Sequence, residues 1–335
     1  MSVDKTMSDE GVAARSILEM ANGFQRSRVL LTAYELGLFT VINDEWKTSA
    51  EVAAAIESDA RATDRLMNAL TALGLLDKRD GRFTNSPAAA RFLVKGRPEY
   101  MAGLAHTAHL WQTWSGLTQA VHAGTGTVGD EVNERGDAWL RAFIGAMHWR
   151  ARQMADGLVA LLNLTGVARV LDVGGGSGAF SMAFVRARQG ICAVVFDLPS
   201  VVPLTKNYVE SAGYGAQIST AVGDYRRDDL PRGFDLVFLS AIVHANSAAE
   251  NRSLIRKCAA ATDPGGQVVV VDQIMNDDRT APLMGAMFGL NMLVGTGGGD
   301  TYTESEVRSW MTDAGLRDVT RHDTPFNNTL VVGRK

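Results

Sequence analysis

The sequence predicts an α/β protein: a domain of alternating strands and helices, preceded by a mainly helical N-terminal region. Three observations predict it. A short apolar run, four glycines and a helical pattern follow one another in Arg169–Phe180. From there strand and helix patterns alternate to the C-terminus and finish in two consecutive strands. Residues 1–100 instead read helix, helix, helix, then a tight two-stranded turn. The expected segments are 1–100, a helical connection with pocket-lining positions over 101–164, and the sheet domain over 165–335.

In chain order, residues 1–10 are polar and read as a frayed end. Val12 to Leu38 has helical spacing, with Gly37 ending its main part. Thr48-Ser-Ala-Glu51 is a capping box, in which hydroxyl and carboxylate each satisfy an N–H of the first helical turn. Its helix runs to about Ile56, and another spans Ala60 to Leu76. Asp77–Thr84 is a two-stranded turn around Asp80-Gly81. This order is a winged-helix pattern, whose two readings are DNA binding and a packing or dimerisation module. Acids and bases nearly cancel over residues 1–100, so the electrostatic footprint of a DNA-binding domain is missing. Tyr100–Gly124 is helical and carries His106, His109, Trp111 and Trp114. Thr125–Asp137 reads as a loop, and Ala138–Leu164 as a long helix bearing Met147 and His148.

Val170–Val173 is a buried parallel strand by its apolar run. Val-Val-Phe-Asp197 ends the next strand, and a helix spans Val201–Ala212. Strands at Ile218–Val222 and Asp235–Ser240 follow. Ser247-Ala-Ala-Glu250 is a second capping box, opening a helix to about Ala261. After the turn Asp263–Gly266, Gln267–Asp272 is a β-branched strand. Pro282–Val294 is a Met-rich helix, and Thr303-Glu-Ser-Glu306 caps a last helix that Gly315 closes. Arg317–His322 and Thr329–Gly333 form the terminal pair, bringing the strand count of this half to seven.

Strand, glycine turn, helix is how an open sheet brings bare backbone against a nucleotide-like ligand. Gly174-x-Gly176-x-x-Ala179 alone also fits a dinucleotide fingerprint, and Asp197 suits any ribose diol. A nicotinamide domain continues as two βαβαβ halves, whereas this chain ends in an antiparallel pair, which favours S-adenosylmethionine. The bulk numbers bound the rest. The 335 residues carry 46% hydrophobic and 21% charged residues and a net charge of −4, ordinary values that give no support to a nucleic-acid partner. No apolar run reaches the length of a membrane span and the start lacks a signal-peptide core, so the expected location is cytoplasmic. Cys192 and Cys258 read as buried, reduced thiols, and no acidic cluster has a metal-site signature.

Asp172-Val-Gly-Gly-Gly-Ser-Gly178, Phe196-Asp-Leu-Pro199, Gly223-Asp224, His244 after a strand, Pro264-Gly-Gly266 and the N-terminal pattern together resemble the class I S-adenosylmethionine-dependent small-molecule O-methyltransferases. The resemblance runs from about residue 12 to the end. It implies a Rossmann-like seven-stranded methyltransferase sheet with a winged-helix dimerisation domain, a homodimer, and a small-molecule acceptor. It implies a cofactor site of Asp172, Gly174, Gly175, Gly176, Asp197, Leu198, Asp224, Tyr225 and Ser240. Ser240 stands where the family commonly has a lysine. His244 matches the general base and Asp272 a carboxylate that orients it. The family's base is commonly followed by Asp-Trp, here by Ala245-Asn246, and a second family carboxylate falls near Thr301, with Asp300 beside it, so that buttress is missing or shifted here.

The chemistry agrees. Methyl transfer from a sulfonium is an in-line displacement, and a hydroxyl acceptor must also lose its proton, a task suited to histidine near neutral pH. Met147, His148, Phe288, Asn291 and Met292 are the candidate acceptor-lining residues. The expected acceptor is a hydroxyl of a small aromatic molecule. Two other readings stand beside it: S- or N-methylation by positioning alone, and a ligand-sensing winged-helix regulator.

Overall fold

The stretch Val12–Leu38 that hydrophobic spacing reads as one helix is two, α1 (Asp9–Asn22) and α2 (Phe24–Glu35), and α3 (Leu38–Ile42) follows Gly37. Gly23 parts the first two, and Gly37, at φ +67°, turns the chain into the third. The structure is a computed structural model describing residues 9–126 and 136–335. It divides into two units, Met1–Ala108 and His109–Lys335.

In the first unit, β1 (Lys47–Thr48) leads into α4 (Ser49–Ala55), whose capping box is formed: Glu51 N–H donates to Thr48 Oγ1 at 3.2 Å and Thr48 N–H to Glu51 Oε2 at 2.7 Å. Helix α5 (Ala60–Ala72) starts at an Asp59 cap and stops short of Leu76, because Gly74 turns left-handed. Then β2 (Leu76–Arg79) and β3 (Arg82–Asn85) form the expected hairpin. Asp80 and Gly81 both have positive φ, the twist that matches paired strands. Strand β1, too short to read from sequence, adds to β3. Helix α6 (Pro87–Phe92) is set by a Ser86 cap and Pro87. Leu38, Phe39, Ile42, Val52, Met67, Leu70 and Phe83 form this unit's core.

Helix α7 (Leu104–Ser115) and α8 (Leu117–Ala123) replace one expected helix, parted at Gly116. Residues 127–135 of the loop expected at Thr125–Asp137 lie outside the described residues, and its last two residues belong to the next helix. Helix α9 (Gly136–Val159) leads to β4 (Arg169–Val173), α10 (Ala179–Ala187), β5 (Cys192–Asp197), α11 (Val202–Ser211), β6 (Ile218–Val222) and β7 (Phe234–Ser240). A 3-10 turn at Val243–Ala245 precedes α12 (Ala248–Ala261), β8 (Thr262–Asp272), β9 (Ile274–Met275), α13 (Leu283–Gly295), β10 (Tyr302–Thr303), α14 (Glu304–Asp313), β11 (Arg317–Asp323) and β12 (Thr329–Arg334). The expected turn Asp263–Gly266 lies within β8 as an irregularity: Phe234 pairs with Thr262, but Leu236 pairs with Gln267.

The seven strands stand in the order β11-β12-β8-β7-β4-β5-β6, parallel from β8 to β6, with β12 antiparallel to both β8 and β11. The chain runs from β4 outwards to β6, then returns to the other side of β4 as β7. That reversal opens a crevice at the carboxyl ends of β4 and β7, where open sheets hold ligands. Both sheet faces are buried. Leu171, Val173, Val237, Leu239, Val268 and Val270 pack on one side with Ile255 and Trp310. Val170, Leu236, Phe238, Val269 and Val271 pack on the other with Leu158 and Phe184. Cys258 is buried as expected, but Cys192 is exposed, since it opens β5 at the sheet's amino edge. Among the described residues, no helix is long and apolar enough to cross a membrane.

Candidate active site

The crevice is built from the loop after β4. Gly174, at φ +65°, has backbone hard against β7's continuation: a Cβ there would lie 2.3 Å from Ile242 Cδ1. A Cβ on Gly175 would lie 2.6 Å from the carboxyl carbon of Asp172. Buried Asp172 therefore leaves no room for a side chain at Gly175, and the left-handed backbone disfavours one at Gly174. Gly174, Gly175 and Gly176 are partly exposed between buried Val173 and buried Ser177, so the loop presents open backbone.

Asp172, 1% exposed, lies beneath that loop and accepts a hydrogen bond from Ser181 Oγ at 2.7 Å. Its place is that of a loop-shaping group rather than of a surface offered to a ligand. Burial pushes its carboxyl up to about 7, with the Ser181 bond opposing and Asp197's charge adding. Asp197 ends β5. Its Oδ2 accepts from Gly176 N–H and its Oδ1 from Leu198 N–H, both at 2.8 Å. Burial raises it to about 6 against those two bonds. Each oxygen has accepted one such bond, and a carboxylate oxygen can take a second, so a diol can still be held.

Asp224 follows β6, its carboxylate accepting from Arg226 N–H at 2.9 Å. Tyr225 turns inward, its hydroxyl donating to Asn246 Oδ1 at 3.1 Å. Ser240 ends β7, half-buried, and Ala241 beyond it has φ +57°, a strained turn that redirects the chain to His244. Open glycine backbone with a carboxylate at the next strand end fits a nucleoside-bearing cofactor such as S-adenosylmethionine.

His244 and Asp272 meet. His244 Nδ1 lies 2.7 Å from Asp272 Oδ1, and His244 N–H donates to Oδ2 at 3.3 Å. Both ends of the carboxylate thus hold one residue, ring and backbone. With Nδ1–H given to the carboxylate, Nε2 carries the lone pair. Phe288 of α13 sets its ring against the imidazole, centroids 4.7 Å apart at 79°. One turn on, Asn291 Oδ1 accepts from Trp114 Nε1 at 2.8 Å. Met292 is buried and Met147 partly so.

Two further residues named from the sequence have these contacts. His148 stands at the glycine loop, its Nδ1 2.9 Å from Ser177 Oγ and its ring stacked on Tyr208 at 4.1 Å. Asp300 does not reach His244's ring: its backbone N–H donates to His244 O, and its carboxylate pairs with Arg279 at 3.1 Å. A cavity of about 490 Å³ lined by Arg279, Gly289, Leu293 and Thr301 opens on the face of α13 turned away from Phe288 and Asn291.

Asn246 is the residue that sequence reasoning noticed only as a departure. It is fully buried and accepts at Oδ1 from Tyr225 Oη and Arg226 Nε. Its amide donates to Ile242 O and Asn251 Oδ1, and its carbonyl accepts from Tyr302 Oη. The signal was present in outline: a polar amide two residues after a candidate base.

Comparison with known proteins matches the O-methyltransferase domain family over residues 117–317 and the O-methyltransferase dimerisation domain family over residues 18–95. The 3-hydroxy-5-methyl-1-naphthoate 3-O-methyltransferase of Streptomyces sahachiroi is 34% identical over 331 residues, covering 95% of this chain and 94% of that protein. The structure of PigF with SAH is 27% identical with a TM-score of 0.89, covering 96% of this chain and 99% of that one. The structure of human N-acetylserotonin methyltransferase with SAM is 25% identical with a TM-score of 0.86, covering 100% and 99%.

Proposed function

Because the chain belongs to the O-methyltransferase family, we propose that it methylates a hydroxyl of a small aromatic molecule with His244 as general base. The coarser activity needs no proposal: this is an S-adenosylmethionine-dependent O-methyltransferase of small molecules. When bound, S-adenosylmethionine supplies an electrophilic methyl group on a sulfonium. In our reading Gly174, Gly175 and Gly176 hold it by backbone, Asp197 with Leu198 takes its ribose, Asp224 and Tyr225 flank its base, and Ser240 closes the site.

The observation that carries the base is the His244–Asp272 pair. Asp272 fixes ring and tautomer, so Nε2 is the nitrogen that takes the acceptor's hydroxyl proton, and the carboxylate stabilises the imidazolium that results. Such a base contributes about 10²–10⁴-fold in rate. Holding the reactants in line can contribute more, roughly 7–11 kcal/mol in favourable cases. An aromatic acceptor is supported by the Phe288 ring beside His244 and by the naphthoate and acetylserotonin acceptors that the relatives' names state. Trp114 occupies Asn291 Oδ1 and so commits Asn291 to offering N–H, which suits an acceptor bearing a second oxygen. The N-terminal unit carries a dimerisation domain, and we assign it to a homodimer.

The test is to incubate the protein with S-adenosylmethionine and a pool of phenols, thiols and amines, and to identify the methylated product by mass spectrometry. A methylated phenol is expected. His244→Ala should then lose about 10²–10⁴ in kcat, with S-adenosylhomocysteine affinity near wild type by calorimetry. A methylated sulfur or nitrogen, or unchanged kcat, would remove His244 from the chemistry.

A further inference from the structure

Two helices reach the same two residues of the glycine loop. From α11, Thr205 Oγ1 donates to Gly176 O at 2.5 Å. From α9, His148 Nδ1 hydrogen-bonds Ser177 Oγ at 2.9 Å. Asp197 takes the Gly176 N–H, so the Gly176-Ser177 segment is held at its amide, its carbonyl and its hydroxyl. Thr205 and Ser177 are buried, and the His148 ring is itself held by stacking on Tyr208 of α11. Ile144, one turn before His148, lies 3.7 Å from where a Gly176 Cβ would stand, so α9 roofs this part of the loop.

We infer that His148 is a positioning residue for the cofactor: through Ser177 it holds the glycine loop in its binding conformation. Resting on the loop as the cofactor site, this goes beyond that assignment by giving a role to a helix outside it. Bare glycine backbone has wide conformational freedom, so a loop of three glycines needs external fastening to stay open. Burial, with the charge of Arg152 adding, pushes the imidazole down to about 4, so near neutral pH the ring is an uncharged hydrogen-bonding group. That suits a bond to a hydroxyl.

Calorimetric titration of the full-length protein with S-adenosylhomocysteine tests this, thermal unfolding serving as the check on folding. His148→Ala and Ser177→Ala should each weaken binding about three- to tenfold, the yield of one lost hydrogen bond. The double variant should be little worse than either, because both remove the same bond. His148→Asn, whose amide can take the place of Nδ1, should restore most of the affinity. Asp197→Ala is the control for the loop itself. If Asp197→Ala loses binding while His148→Ala and Ser177→Ala bind within twofold of wild type, the His148 inference falls and the cofactor site stands. If Asp197→Ala also binds normally, the loop assignment falls and takes the inference with it.

Discussion

Three carboxyl groups stand at the carboxyl edge of the sheet, and their neighbours give each a different task. Asp272 holds His244, Asp197 holds the Gly176 and Leu198 amides, and Asp172 has a serine hydroxyl in a dry interior. Asp172 leads to a stability prediction. Its folded value of about 7 lies above the ordinary 3.8, so the native state keeps a proton that the unfolded chain gives up between those values. Its contribution is therefore complete below about pH 4 and declines as pH rises through 7, by on the order of 4 kcal/mol. Asp172→Asn, neutral throughout, should lose that decline. Denaturant titrations of cofactor-free protein at pH 5 and pH 8 should show a smaller drop for the variant than for wild type; equal drops would place the carboxyl elsewhere in its titration.

The turn between β7 and α12 is where elements converge. Ala241 reverses the strand, the 3-10 turn presents His244, and the Ser247 capping box starts α12 three residues later. Asn246 ties this turn to Tyr225 after β6 and to Tyr302 ahead of α14. Asn246→Ala takes the side-chain partner from Tyr225 Oη and from buried Asn251 Oδ1, at about 1–3 kcal/mol of stability. It should lower the unfolding midpoint and also kcat, since the turn that aims His244 loosens. A variant with wild-type kcat and a lowered midpoint would show that Asn246 supports the fold without aiming the base.

At the scale of the whole molecule, the sheet is covered on both faces, and the helices are amphipathic enough to cover it. Helix α1 departs from this: Ile17, Leu18 and Met20 are all exposed, Met20 by 80%. Apolar side chains in that number on one short helix call for a partner surface, and the dimerisation domain match begins at residue 18. Light scattering should give twice the 36.0 kDa chain mass. Leu18→Glu with Met20→Glu should shift it towards one chain; a wild-type monomer would end the homodimer assignment.

What was legible in the sequence was local. Apolar runs marked β4, β7 and β8, because a parallel strand buried on both faces has no polar side to confuse the pattern. Three capping boxes marked helix starts because their hydrogen bonds join residues only three apart. The glycine loop, Asp197 and the pair His244 and Asp272 were legible because residue type and place at a strand end suffice to name them. Long-range partnership was not legible. No local rule joins His148 to Ser177, Trp114 to Asn291, or Asn246 to Tyr302, for these bonds join residues 29, 177 and 56 positions apart that only the packing of the folded chain brings together. Tertiary packing also pairs Asp300 with Arg279. The sequence determined which groups were available; the tertiary structure decided which of them meet, because hydrogen-bond geometry depends on positions that distant parts of the chain set together.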